Sequence, residues 1–117
     1  MPSRIPKRWG HEVILHNEGY CSKLLVYSGP HTSSEHYHEK KHETFVIVYG
    51  EFGIMWRELD GTVLGCRKFG PGNALVLPPR TVHRVECLSK NGGMIAEASS
   101  HDDPEDCVRL TESVRPL

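Results

Sequence analysis

The chain has 117 residues, 38% of them hydrophobic and 25% charged, with a formal net charge of -1; this bounds it to one globular domain, long enough for its own core. Such a charge excludes the basic footprint of a nucleic-acid-binding protein, and no apolar stretch approaches the ~20 residues of a membrane span. The start, Met1-Pro2-Ser3-Arg4-Ile5-Pro6-Lys7-Arg8, lacks the apolar core of a signal peptide. Cys21, Cys66, Cys87 and Cys107 are widely spaced, with no Cys-x-x-Cys pair, which predicts reduced thiols in a cytoplasmic protein.

Taken in order, the elements are nearly all β. Residues 1–8 carry two prolines and three basic side chains and read as an arm. Val13-Ile14-Leu15 marks a short strand, and Asn17-Glu18-Gly19 has turn chemistry. Leu24-Leu25-Val26-Tyr27 marks a buried strand, broken by Gly29-Pro30. His36-Tyr37-His38 and Thr44-Phe45-Val46-Ile47-Val48-Tyr49 are the next two strands, and Lys40-Lys41-His42 between them is a polar connection of hairpin length. Phe52, Ile54 and Trp56 alternate against Gly53, Met55 and Arg57 with the period of a strand. Asp60-Gly61 predicts a hairpin to 62–69. Gly70-Pro71-Gly72 is a turn, Ala74 to Leu77 a strand stopped by Pro78-Pro79, and Thr81 to Leu88 another strand. After the 89–93 loop comes the last core strand, Met94 to Ala98. The extension 102–117 has the makings of one helical turn after Asp103-Pro104. Many short strands at regular spacing predict an all-β, closed or double-sheet antiparallel barrel.

The chemistry concentrates at His36-Tyr37-His38-Glu39-Lys40-Lys41-His42-Glu43. Alternation points His36 and His38 the same way, about 7 Å apart. A returning strand places Glu43, Phe45 and Ile47 on one face, so two imidazoles and a carboxylate converge across the expected hairpin. His83, after the Pro78-Pro79-Arg80 corner, is the candidate fourth ligand. Imidazoles plus a carboxylate suit one divalent transition ion, Zn, Mn, Fe, Ni or Co, and in a six-coordinate ion leave up to two positions open. The bland reading makes His36, His38 and His42 a solvated turn and His83 a hydrogen-bonded core residue. Against it, alternate residues of strands flanked by apolar runs must point into a core, where an unpartnered polar group costs several kcal/mol.

Gly29, His36, His38, Glu43 and Gly50 resemble the first motif of the cupin superfamily, with the spacing His-x-His-x4-Glu-x6-Gly matched in full and the leading glycine one residue further out than usual. Gly72-x5-Pro78-x4-His83 resembles the second motif. The resemblance implies a double-stranded β-helix (jelly-roll) cupin barrel with His36, His38, Glu43 and His83 as metal ligands. Arg80 stands where these proteins usually have glycine, and a non-glycine residue resists positive φ; Cys87 stands where asparagine is usual. Lys7-Arg8-Trp9-Gly10-His11-Glu12, Tyr20-Cys21-Ser22-Lys23, Ser34 to Lys40 and Glu97-Ala98-Ser99-Ser100-His101 further resemble small cupins related to sugar isomerases, those of type II mannose-6-phosphate isomerases and lyxose isomerases. The Tyr-Gly-Arg that often follows in the former is absent here.

That second resemblance implies a sugar or sugar-phosphate aldose–ketose isomerase acting through a metal-stabilised enediolate. Glu97 is then the candidate proton shuttle; as a structural bridge it would instead pair with a neighbouring Lys or Arg. Lys23 shares a face with Leu25 and Tyr27, and either meets substrate oxygens or snorkels at the rim. Arg109 contacts substrate, or pairs with Asp106 to pin the C-terminal segment. Phe45, Ile47 and Trp56 are cavity wall or core. Two alternatives stay open: an iron-dependent dioxygenase-type cupin, and a non-catalytic small-molecule (sugar) binding cupin. The strand 44–49 is apolar on both faces, as is Val13-Ile14-Leu15, which predicts a homodimer unless a second sheet of the same barrel covers them.

Overall fold

The computed structural model describes residues 2–111. Its strands are β1 (Ser3–Lys7), β2 (Gly10–Glu18), β3 (Tyr20–Tyr27), β4 (His31–Thr32), β5 (His36–His38), β6 (Glu43–Tyr49), β7 (Phe52–Arg57), β8 (Val63–Phe69), β9 (Ala74–Leu77), β10 (Val82–Cys87), β11 (Gly93–Ser100) and β12 (Cys107–Arg109). They form two antiparallel sheets. One has the order β1-β2-β3-β11-β6-β9, the other β12-β5-β10-β7-β8, with β4 also on β10. The expected 1–8 arm thus contains a strand, exposed along its length and paired with β2. The helical turn is a 3-10 turn at Pro104–Asp106, capped by the Asp103 carboxylate, which accepts from the Glu105 amide.

One expectation is corrected. Strands β5 and β6 do not form a hairpin. β5 pairs with β10 and β12, whereas β6 pairs with β11 and β9 in the opposite sheet. Residues 39–42 therefore cross from one sheet to the other. His36 and His38 face Glu43 across the interior rather than along one ribbon.

Strand alternation divides the interior into two halves. Inward-facing Leu25, Tyr27, Phe45, Ile47, Phe52, Ile54, Phe69, Leu77, Val85, Cys87 and Ile95 make the apolar half. Further along the same faces the chemistry changes: β3 turns from Leu25 to Lys23, β6 from Phe45 to Glu43, β10 from Val85 to His83, and β11 from Ile95 to Glu97, all four polar groups buried. Apolar burial supplies the stability that lets the other half hold charge away from water. All four cysteines are free thiols, and no helix among the described residues is long and apolar enough to cross a membrane.

Candidate metal centre

The three histidines come from neighbouring strands of one sheet. His36 and His38 alternate on β5, and His36 is the register partner of His83 on β10. One ring nitrogen of each lies within 4.8 Å of the others. Glu43 approaches two of these rings from the opposite sheet, its Oε2 3.6 Å from His38 Nε2 and 3.5 Å from His83 Nε2. Two donors on one first-row ion stand about 3–3.5 Å apart, given bonds of about 2.1 Å, so the carboxylate already has ligand spacing to both rings.

Hydrogen bonds fix what these rings offer. The Nδ1 atoms lie 3.0 Å from the Ser34 carbonyl (His36), 3.2 Å from the Asp106 carbonyl (His38) and 3.1 Å from the Thr81 carbonyl (His83). A carbonyl only accepts, so each Nδ1 carries the proton and each Nε2 presents a lone pair, a tautomer inferred from the partners. Inward-facing lone pairs beside a carboxylate repel one another unless a cation or a proton lies between them. The donor set therefore fits a divalent transition ion, with the backbone carbonyls as the outer partners that orient such rings.

The surrounding charge points the same way. Lys41, buried at 4% exposure, donates to the Glu97 carboxylate at 3.1 Å and to Asp102 at 3.0 Å, and lies 3.6 Å from Glu43 Oε1. Lys23 donates to Glu12 at 3.2 Å and to Asp102 at 3.3 Å. With every carboxylate ionised, the two buried ammonium ions face four carboxylates, of which Glu12 also lies 3.9 Å from the more exposed Lys7; the excess is negative, and a divalent cation would offset it. Without the ion, burial and then the Glu97 carboxylate push the Glu43 pKa up to about 8, so a proton relieves part of the surplus. Burial is the main cause in depressing the histidines, His36 to about 3 and His38 and His83 to about 4.

These shifts set an acid–base signature for the metal-free protein. Between about pH 4 and 6.5 the unfolded chain takes up protons on three histidines that the folded chain refuses, so stability climbs with pH. Between about pH 4.5 and 8 the folded chain keeps a proton on Glu43 that the unfolded chain releases, so that contribution falls with pH. Three sites outweigh one below pH 6.5, and only Glu43 acts above it. Calorimetry in chelator is expected to find the highest Tm near pH 6.5, with lower values toward pH 5 and pH 8. A Tm that keeps rising through pH 8 would show Glu43 ionised in the metal-free site.

The remaining sequence candidates are placed as follows. Glu97 faces the interior between Lys23 and Phe45 in register, and its carboxylate is held by Lys41. Lys23 is buried in the same network. Arg109 is exposed on β12, the register partner of His36 at the sheet edge. Asp106 takes another role than pairing with Arg109: its carboxylate accepts from the amides of Glu39, Lys40 and Lys41 at 2.9–3.2 Å, clamping the crossing segment between the ligand strands. Asp106→Ala should cost about 2–3 kcal/mol, the scale of charge-assisted bonds to backbone amides, and Asp106→Asn should recover part of it in thermal melts. Lys41, Glu12, Asp102 and Asp106 were not singled out from the sequence as parts of the site; their only local signal is an excess of charge near the histidines.

Arg80 holds the left-handed conformation, φ 64°, that the motif's usual glycine adopts freely. Its amide donates to the His38 carbonyl at 2.7 Å. The turn geometry is kept despite about 1–2 kcal/mol of side-chain crowding, because it ties the approach to β10 onto β5.

No family model and no curated protein matches the sequence. Solved structures do. Against the capsular polysaccharide assembling protein CapF from Staphylococcus aureus the TM-score is 0.79, at 16% identity over 96% of this chain and 33% of that chain. Against oxalate decarboxylase from Bacillus subtilis it is 0.79, at 14% identity over 93% of this chain and 30% of that chain. The chain spans about a third of the length of the solved chains it matches. These neighbours have the cupin fold, and the likeness establishes for this chain the jelly-roll barrel that its two motifs imply.

Proposed function

We propose, from a cupin barrel with a metal-binding histidine triad, that the protein is a metal-dependent aldose–ketose isomerase acting on a sugar or sugar phosphate. The observation that carries this reading is a buried carboxylate, Glu97, beside the four-ligand set but outside it. An ion held by His36, His38, His83 and Glu43 would supply Lewis acidity toward a carbonyl and its adjacent hydroxyl. Glu97 would carry the proton between the two carbons. Lys41, bonded to Glu97, would hold that carboxylate in place, Lys23 would fix the network from behind, and Arg109 at the exposed edge would meet substrate oxygens. Reduced, free thiols accord with the cytoplasm as its compartment.

The test is solvent deuterium exchange into the carbon next to the carbonyl, over a panel of aldoses and ketoses, with protein loaded in turn with Zn, Mn, Fe, Ni and Co. Exchange with at least one sugar is expected. No exchange with any of them would overturn the isomerase reading. A non-catalytic sugar-binding cupin is favoured by one observation, that Glu97 Oε2 is already taken by Lys41.

The homodimer proposal draws support from the outer face of the first sheet. Register aligns Val13, Leu24, Ala96, Val46 and Ala74 in one row across five strands. Val46 and Val48 are 39% and 47% exposed, and Leu15 and Val76 are exposed with them, so no second sheet of the same barrel covers them. A contiguous apolar face of this kind marks an interface. Light scattering at micromolar concentration should give twice the chain mass, and Val46→Glu with Val48→Glu should halve it. A wild-type monomer would refute the dimer.

A further inference from the structure

A second concavity lies next to the metal centre but outside it. It is an open cleft of about 720 Å³, lined among others by Trp56, Glu58, Asp60, Pro79, Arg80 and Thr81. Two of its lining residues connect it to His83. Trp56 on β7 is the register partner of His83 on β10, so their side chains stand side by side on one face. Thr81 supplies the carbonyl that holds His83 Nδ1.

The sequence gives up strand stability to form one wall of this cleft. Gly65 is the register partner of Trp56 within β8, and glycine inside a strand is unfavourable unless something approaches closely. Here the indole does. A Cβ at residue 65 would stand 2.3–2.8 Å from three of its ring atoms. The indole is thus laid across the β8 backbone, while Trp56 is still partly exposed and lines the cleft. Glu58, Asp60 and Arg80 line the cleft around this platform; one Asp60 carboxylate oxygen accepts from the Thr62 amide at 2.8 Å, and Arg80, on strained backbone, has its guanidinium 3.9 Å from the Glu39 carboxylate. Non-glycine residues at positive φ concentrate at functional sites.

We propose that this cleft is a carbohydrate subsite that stacks a second sugar ring on Trp56, so that the substrate is a reducing disaccharide or longer saccharide rather than a monosaccharide. A sugar ring offers an apolar C–H face to an indole and hydroxyls at its edge. Glu58 and Asp60 accept from those hydroxyls, and Arg80 donates to ring or linkage oxygens. The reducing end then lies toward His83 and the metal centre, and the second ring in the cleft. The proposal rests on the isomerase reading for what happens at the reducing end, but binding in the cleft does not depend on it.

The experiment separates the two. Metal-free protein is titrated with a methyl β-disaccharide (cellobioside, maltoside or lactoside), a methyl monosaccharide and choline, following the Trp56 indole and Gly65 amide resonances. Methyl glycosides cannot isomerise, so this arm reads the cleft alone. Shifts at both resonances are expected with at least one disaccharide, with the monosaccharide at least about tenfold weaker and Trp56→Phe or Glu58→Ala weakening the disaccharide by about tenfold. Shifts confined to other residues, equal affinity for mono- and disaccharide, or preference for choline would overturn the cleft assignment. The assignment is read on wild-type protein, so an unfolded variant does not spoil it. Disaccharide binding at Trp56 without deuterium exchange by the metal-loaded protein would keep the subsite and remove the isomerase. Exchange on monosaccharides, with wild-type KM for reducing disaccharides in Trp56→Phe, would do the reverse.

Discussion

His83→Ala is expected to give a folded barrel that no longer retains a divalent ion. The side chain is 1% exposed, and its Nε2 lone pair serves the converging set. Removing even an outer partner of a metal ligand commonly costs 10–100-fold in affinity, so losing a ligand should cost at least about a hundredfold. The metal-free variant should change little in Tm, because the lost ring also relieves crowding of lone pairs beside Glu43. The wild type should gain several degrees on adding metal, since an ion that binds only the folded state stabilises it, and the variant should gain almost none. Elemental analysis with paired melts reads both. Wild-type metal content in His83→Ala would remove His83 from the ligand set.

The second large effect is expected at Glu97. The amide in Glu97→Gln keeps the shape and leaves an oxygen to accept from Lys41, which also retains Asp102 and Glu43 as partners. Fold and metal content should persist. Deuterium exchange into sugar should fall by roughly 10²–10⁴, the range for a positioned acid or base. If Glu97 is only a brace for Lys41, the ordering reverses: Tm drops and exchange is unchanged. Unchanged exchange in folded, metal-loaded Glu97→Gln would therefore end its role as shuttle.

Much of this site could be read along the chain, because alternation is local. His36 and His38 share a face for the same reason that Phe52, Ile54 and Trp56 do. The turns at Asp60-Gly61 and Gly70-Pro71-Gly72 likewise depend on near neighbours. What residues 39–42 do was not legible. A four-residue link suits a hairpin and a crossing between sheets equally, and the choice is made by β10, β12, β11 and β9 elsewhere in sequence. Lys41 was obscured for the same reason. Next to Lys40 in a short polar link it reads as solvated, and its burial depends on Glu97 and Asp102, 56 and 61 residues away. Arg80 shows the converse: its departure from glycine was visible, but not that two strands would hold it in the glycine's conformation.

The clamp formed by Asp106 has a consequence for synthesis. Asp106 orders the amides of the 39–41 segment from some 65 residues further along the chain, and its carbonyl orients the His38 ring. At about 5–20 residues per second, a ribosome finishes Asp106 roughly 3–13 s after Lys41. During that interval the nascent chain carries His36 and His38 before, and Glu43 after, a crossing segment whose 39–41 amides are not yet clamped. Tight capture of an ion would thus wait until the distal end of the barrel has been made, and truncated translation products should hold metal weakly.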